Sequence, residues 1–469
     1  MLFNSFEFLL GFLPLVLVAV HYARQSSSEA AMLVLVVASL IFYSWWDIRY
    51  TPVLLSSLVF NYCFGNILRV QRRRFMLLVG ILTNLVPLVF WKYTRWLTGE
   101  FGEAVGPSEI PLGISFFTFL QISYLVEIYR NRLAPSGPLP YLTFVTYFPH
   151  LIAGPILQYD EMHKQFNALG RTREIAPETI ARGWFLLTVG LFKKVIVADQ
   201  LCAPFVGPIF GAAETVTFYE AWTGSLAYTL QLYFDFSGYC EMAMGMSLLM
   251  GIAIPVNFLS PYKATNIAEF WRMWHCTLGR WFREYVYIPL GGSRSGVIKT
   301  CGALFLTMLL AGAWHGAGWT FVVWGLMHGM MLIAHRLWRT AGLMVPKAAG
   351  MALTMLSVMF AWVVFRAESV ADAIHIWEAM LGLKGIVLPL GFEQFATLMP
   401  SGIIFQESMT VWGTEIFLLF LLLLFCMNAK NVHEISLSPA GWRTWTIGIC
   451  SVASGFYLAS PSTFLYFQF

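Results

Sequence analysis

Residues 304–320 read Leu304-Phe-Leu-Thr-Met-Leu-Leu-Ala-Gly-Ala-Trp-His-Gly-Ala-Gly-Trp-Thr320. Two apolar stretches, at 300–317 and 319–338, meet around His315. A segment that is apolar on every side belongs in a bilayer, where about 20 such residues cross the hydrocarbon. An ionisable group left in such a run costs roughly 2.5–3.5 kcal/mol to insert, so His315 is a functional candidate by position alone. The small residues Ala311, Gly312, Ala313, Gly316, Ala317 and Gly318 lower the side-chain wall on both sides of it. Another backbone or a substrate can then approach the imidazole closely.

The rest of the chain has the same character. Of 469 residues, 58% are hydrophobic and 12% charged, about half the charged share of a soluble domain, and the mean hydropathy is +0.67. Secreted, disordered and nucleic-acid-binding classes are excluded. The net charge of +4 does not rescue nucleic-acid binding, because Lys and Arg fall in short clusters between apolar runs. The seven Cys residues contain no CxxC pair, so neither a disulfide framework nor a metal site is indicated.

These features predict an all-α polytopic membrane protein. A first span is expected at 6–20, with others at 30–46, 53–68, 75–91, 111–129, 183–206, 218–236, 300–317, 319–338, 351–366, 414–428 and 444–461. No Lys or Arg precedes Arg24, so the first span reads as retained rather than as a cleaved signal. Stretches 141–157 and 239–254 are short or interrupted and read as re-entrant or interfacial. Arg69, Arg72, Arg73 and Arg74 mark the cytoplasmic side. Counting spans from there places the N-terminus and Glu100–Glu109 outside, and Arg130, Arg132, Arg336 and Arg339 inside.

Residues 257–299 interleave Lys263, Arg272, Arg280, Arg283, Arg294 and Lys299 with Trp271, Trp274, Trp281 and several other aromatics. Such a stretch belongs at head-group level. Residues 300–338 form the core helices around His315, and 367–413 read as an extracytoplasmic loop. Neutral imidazole suits proton abstraction from a hydroxyl near neutral pH. His315 is therefore either a general base or a histidine bonded to a neighbouring helix carbonyl, and the residues alone leave both readings open. If Glu269–Leu278 is one helix, Trp271, Trp274 and His275 share a face, with Arg272 a turn before His275. That face could clamp a nucleotide-containing donor or simply anchor the helix at the interface. Cys276 beside His275 makes a poor thioester pair, because neighbours on a helix point about 100° apart. His328 and His335 read as a packed helix face and its cytoplasmic end. Asp235 and Glu241 need partners, which the basic segment could supply. Lys193 and Lys194 would snorkel or mark a helix start.

Seven short motifs follow one another along the chain: Met1-Leu-Phe-Asn-Ser; Pro111-Leu-Gly-Ile-Ser-Phe-Phe; Phe148-Pro-His-Leu-Ile-Ala-Gly-Pro; Tyr233-Phe-Asp-Phe-Ser-Gly-Tyr; Glu269-Phe-Trp-Arg-Met-Trp-His; Tyr287-Ile-Pro-Leu-Gly-Gly; and Trp314-His-Gly. In this order the chain resembles the membrane-bound O-acyltransferase family, in its bacterial branch of alginate and cellulose O-acetylation proteins. The resemblance covers nearly all of residues 1–469 and implies a single transmembrane domain. That domain would be a ring of about 11–12 helices, with re-entrant pieces, around a central tunnel. It further implies that His315 is the essential histidine and His275 the second one, with Trp271, Arg272, Trp274, Trp314 and Asp235 as donor- or substrate-binding candidates. No metal or tightly bound cofactor is expected. Acetyl-CoA or another cytoplasmic acetyl thioester would be the donor. A periplasmic acetyltransferase and a polysaccharide synthesis complex would be partners, at the bacterial inner membrane. D-alanyl transfer to teichoic acid is the alternative within the family, and a polysaccharide or lipid-precursor transporter the alternative outside it. After Phe-Ser-Gly-Tyr the relatives carry Ser-Asp where this chain has Cys240-Glu241, so a catalytic Asp is not implied there.

Overall fold

The computed structural model describes residues 1–133, 135–171, 174–390, 392–394, 403–406 and 414–436, with 454–455, 457–458 and 464–465 near the C-terminus. All but four residues of the span expected at 444–461 lie outside the described residues. Among the described residues six helices are long and apolar enough to cross a membrane: Glu7–Ser26, Ser28–Trp46, Ile48–Val70, Arg74–Glu100, Val297–His315 and Lys347–Arg366. The chain sorts into two compact units, one of residues 1–192, 238–256 and 437–468, the other of 193–237, 257–436 and 469.

The first unit contains α1 (Leu13–Ser26, led in by a π turn at Glu7–Phe12), α2 (Ser28–Trp46), α3 (Thr51–Val70), α4 (Arg74–Glu100) and α5 (Ile114–Tyr129). The shorter α6 (Pro138–Thr146), α7 (Phe148–Leu151), α8 (Tyr159–Ala168) and α9 (Pro177–Phe192) follow. Polar pairs and glycines, rather than apolar burial alone, set how helices meet in lipid. Asn61 on α3 and Asn84 on α4 exchange amide hydrogen bonds of 2.8 and 2.7 Å. A Cβ on Gly80 would lie 2.8 Å from the end of the Leu125 side chain of α5, so glycine keeps that approach close. Residues 141–157 do not cross: α6 and α7 are nine and four residues long and buried. Two bridges agree with the alternation inferred from charge. Arg49 reaches Glu109 at 2.9 Å, joining two loops expected outside, while Arg69 donates to the Leu133 carbonyl at 2.6 Å, joining two expected inside.

The second unit holds α10 (Ala203–Gly211), α12 (Ile267–Met273), α13 (Cys276–Phe282), α14 (Val297–His315), α15 (Trp319–Thr340), α16 (Lys347–Arg366), α17 (Val370–Met380) and α18 (Glu415–Asn428). Helix α11 (Phe218–Leu249) runs from this unit into the first. Two expectations change here. The segments 218–236 and 239–254 are not separate: α11 continues through Gly238 for 32 residues. A glycine inside a helix costs only about 1 kcal/mol, and the chain turns at Gly251, whose φ is +79°. The stretch 183–206 is not one regular span either, because α9 gives way to a π-helical segment, Lys193–Cys202. Part of 367–413 is ordered as α17, whose Ser369 and Asp372 form a capping box. A parallel strand pair, β1 (Val387–Pro389) with β2 (Ile404–Gln406), follows it.

Candidate active site

His315 is the last residue of α14, and an extended Gly316 turns the chain toward α15. Two close approaches fix that hairpin. A Cβ on Gly316 would lie 2.0 Å from the Phe321 ring, and one on Gly312 would lie 2.3 Å from the Phe321 carbonyl and 3.0 Å from the Gly325 Cα. Small residues thus let α14 and α15 touch backbone to backbone just below the imidazole. His315 itself is buried. Its ring centroid lies 5.0 Å from Trp314, 5.1 Å from Trp324 and 5.2 Å from Phe365. An imidazole walled by aromatic rings is sheltered from bulk water, the setting in which an acyl thioester survives.

His275 reaches the same cluster from another direction, with its ring 6.4 Å from Trp314 and 4.8 Å from Phe236. The single helical face expected for Trp271, Trp274 and His275 does not exist. α12 ends at Met273, Trp274 is extended, and His275 is left-handed at φ +46°, ψ +53° before α13 begins. That conformation costs a non-glycine residue roughly 1–2 kcal/mol, and Asn257 offsets it. The Asn257 carbonyl accepts from Cys276 N at 2.9 Å. Its side-chain oxygen accepts from Thr277 N at 3.2 Å, Thr277 Oγ1 at 3.0 Å and His275 Nδ1 at 3.1 Å. The Thr277 amide can only donate, which orients the Asn257 oxygen toward this group. In the neutral ring Nδ1 therefore carries the proton and Nε2 the lone pair.

The other sequence-predicted residues divide around this centre. Trp314 lies between the two histidines, with its ring 5.0 Å from His315 and 6.4 Å from His275. Trp271 packs on Trp324 at 5.7 Å and donates its indole N–H to His328 Nδ1 at 3.3 Å. Trp274 packs against Trp362 at 5.0 Å and Phe258 at 5.1 Å. Arg272 leaves the cluster: its Nε donates to the Ala268 carbonyl. Cys276 is no partner for His275, because its thiol points to the Arg272 carbonyl while the imidazole holds Asn257. Asp235 is buried and ion-paired with Lys194 at 2.6 Å. Lys194 also reaches Asp199 at 2.8 Å. Asp235 thus has a partner in the π-helical segment, and Lys194 is buried and does not snorkel. Glu241 likewise has Arg182 as its electrostatic neighbour. His328 is buried on the inner face of α15 as expected. With Nδ1 accepting from Trp271 its proton sits on Nε2, which has no hydrogen-bond partner among the described residues.

Sequence reasoning missed Asn257, Trp324 and Phe365. The signal for Asn257 is an amide inside the apolar run Ile252–Leu259, which needs partners once buried. Trp324 and Phe365 carry no such signal, since an aromatic inside a span is ordinary. Near the site, outside the spans, the Thr265 amide (2.8 Å) and hydroxyl (2.6 Å) hold Glu269 at the start of α12 and keep its carboxyl below the ordinary range. Among the described residues no group of three His, Cys, Asp or Glu side chains could hold a metal ion.

The family model for the membrane-bound O-acyltransferases matches residues 40–371. The chain belongs to that family. The match includes α11 through α16 and hence every site residue named above. This acyltransferase is 36% identical to the peptidoglycan O-acetyltransferase of Helicobacter pylori over all of this chain and 98% of that one. It is 38% identical to a probable alginate O-acetylase of Pseudomonas aeruginosa, over 81% of this chain and 75% of that one. To the teichoic acid D-alanyltransferase of Bacillus subtilis it is 30% identical over 48% of this chain and 58% of that one. A membrane-embedded O-acyltransferase is an enzyme, so the transporter reading falls.

Proposed function

We propose that this O-acyltransferase moves an acetyl group from a cytoplasmic acetyl thioester, acetyl-CoA or a carrier-bound acetyl, across the bacterial inner membrane for O-acetylation of an extracytoplasmic polysaccharide. The observation that carries the reading is the placement of His315 at the α14–α15 turn, walled by Trp314, Trp324 and Phe365. The acceptor hydroxyl gives its proton to His315 as its oxygen attacks the thioester carbonyl. The C–S bond breaks, and the proton leaves with the thiol. His275, with its Nε2 lone pair, orients the donor. A periplasmic acetyltransferase acting with the synthesis complex completes delivery to the polymer.

The relatives that support acetyl transfer act, by their names, on alginate and on peptidoglycan, and the peptidoglycan enzyme matches over the full chain. A wall glycan is therefore the acceptor to assay first, with alginate- and cellulose-type exopolysaccharides beside it. His315→Ala should lower ester-linked acetyl in the glycan by about 10²–10⁴-fold at unchanged protein level and unchanged glycan. Mass analysis of the purified polymer reads this out. Undiminished acetyl would sink the assignment, and ester-linked alanine in its place would favour D-alanyl transfer.

A further inference from the structure

The second unit contains a cavity of about 530 Å³ whose lining includes neither His315 nor His275. Its walls are the C-terminal turns of α15, the connecting segment 343–347 and the first half of α16. Thr265, Asn266 and Ile267, where α12 starts, also line it. Its polar side carries the cations Arg339 and Lys347, with His335, whose charged form burial, Arg339 and Arg272 disfavour, beside them. Neither Arg339 nor Lys347 has an ion pair or hydrogen bond to a side chain among the described residues. The carboxylate that senses Lys347 is Glu269, whose Oε2 is already held by Thr265. Glu269 thus offsets part of the charge of Lys347, while Arg339 has no carboxylate in ion-pair contact among the described residues.

Its other side is apolar and open. Met344 is 93% exposed and Leu353 61%, with Leu343 and Trp338 exposed beside them. Such side chains at the ends of membrane helices lie against acyl chains, and the cations one turn away lie at the depth of phosphates. A cationic recess between helix ends, opening onto an apolar wall, matches a head group of net negative charge followed by its chain. A zwitterionic head group brings its own cation and would leave Arg339 and Lys347 uncompensated.

We propose that the cavity between the α15–α16 hairpin and the start of α12 is a binding site for an anionic phospholipid of the phosphatidylglycerol class. The phosphate lies between Arg339 and Lys347, and an acyl chain runs along Met344 and Leu353. The site has a route to the histidine cluster, because α12 leads directly into Trp274 and His275. α16 approaches so closely that a Cβ on Gly350 would lie 2.4 Å from the Thr265 carbonyl. A seated lipid would therefore steady the helix that delivers His275.

The test is titration of the purified full chain, in phosphatidylcholine nanodiscs, with fluorescent phosphatidylglycerol. Wild type should bind it in preference to labelled phosphatidylcholine, and 0.5 M salt should weaken that binding. Each cation near a membrane surface contributes about fivefold to affinity. The Arg339→Gln, Lys347→Gln double variant should then bind about 25-fold more weakly, and Lys347→Glu alone should also lose preference. Both positions are exposed, and an unchanged melting temperature shows that each variant is folded. Equal affinity of wild type for the two lipids, or wild-type affinity in the double variant, overturns the proposal. Displacement of the bound lipid by millimolar inorganic phosphate or by CoA also overturns it, and would place a soluble phosphate ligand there instead.

Discussion

The two histidines of the site are placed by opposite devices. His315 sits where α14 stops against an extended glycine, with close glycine contacts in the hairpin below it and aromatic rings around it. His275 sits where α12 stops against the histidine's own left-handed backbone, and its surroundings are polar, with four hydrogen bonds converging on Asn257. The first arrangement surrounds the ring with aromatic walls. The second spends a strained conformation and a buried amide on fixing which nitrogen carries the proton. The contrast fits the proposed division of proton transfer to His315 and positioning to His275, and it can be broken from either side.

Among the residues that place the two histidines, the largest effect is expected at Gly316. Its φ of −161° suits any residue, so an alanine there suffers only from space: the new methyl meets the Phe321 ring at 2.0 Å. Phe321 packs edge-on against Phe365 at 5.1 Å, and Phe365 against His315 at 5.2 Å. A displacement of about 1 Å at a reacting group can cost 10²-fold. Gly316→Ala should therefore lower turnover by about that factor, with the folded state weakened by only about 1–3 kcal/mol. Wild-type turnover in this variant would show that the walls of His315 do not matter.

Asn257 should give the next largest effect. Replacing it with Ala removes the acceptor that the Thr277 amide and hydroxyl and the His275 Nδ1 share in a buried site, at about 1–3 kcal/mol. The melting temperature in detergent should fall, and the imidazole, free to exchange tautomers, should lower turnover as well. Asn257→Asp keeps the acceptor oxygen and should recover part of the stability. If Asp is no better than Ala, the hydrogen bonds are not what Asn257 contributes.

A smaller effect separates conformation from chemistry at His275. Glycine takes a left-handed backbone without penalty and alanine does not, so His275→Gly should be more stable than His275→Ala by about 1 kcal/mol. Both variants lack the imidazole. If its role is to orient the donor, both lose activity alike, whatever their stability. Recovery of activity in the glycine variant alone would reduce His275 to a bend in the chain.

The same contrast explains what could be read from the sequence. Trp314-His315-Gly316 was legible because its information is compositional: an ionisable group and several small residues inside an apolar run. The His275 junction was misread as a continuous helix, because no residue in Arg272-Met-Trp-His-Cys-Thr is a helix breaker. The break is imposed by Asn257, 18 positions earlier, and by the pairing of Leu259 N with the Met273 carbonyl at 2.9 Å. Long-range hydrogen bonds leave no local trace. The continuity of α11 was missed for the converse reason: Gly238 and Ser237 looked like an interruption, yet packing carries the helix through them. Asp235 and Lys194 lie 41 positions apart, so their ion pair could be required by burial but not assigned to partners.

The smallest effect belongs to the polar region alone. The Thr265 amide and hydroxyl lower the Glu269 carboxyl below its ordinary value. The ionised form is thus favoured in the folded chain relative to the unfolded one, where the group titrates near about pH 4.3. Its contribution to stability is present above that pH and is lost as pH falls through the lower folded value. Because the group is partly exposed, that contribution is below about 1 kcal/mol. Glu269→Gln should therefore melt slightly below wild type at pH 7, with the two curves converging as the pH falls through 4. The Gly316→Ala methyl meets the Phe321 ring, which does not titrate, so the Gly316→Ala deficit in melting temperature should stay constant over the same range. A gap between wild type and Glu269→Gln that persists unchanged at pH 3 would mean that the glutamate acts through packing rather than charge. The start of α12 would then be held in the same apolar way as the hairpin that carries His315.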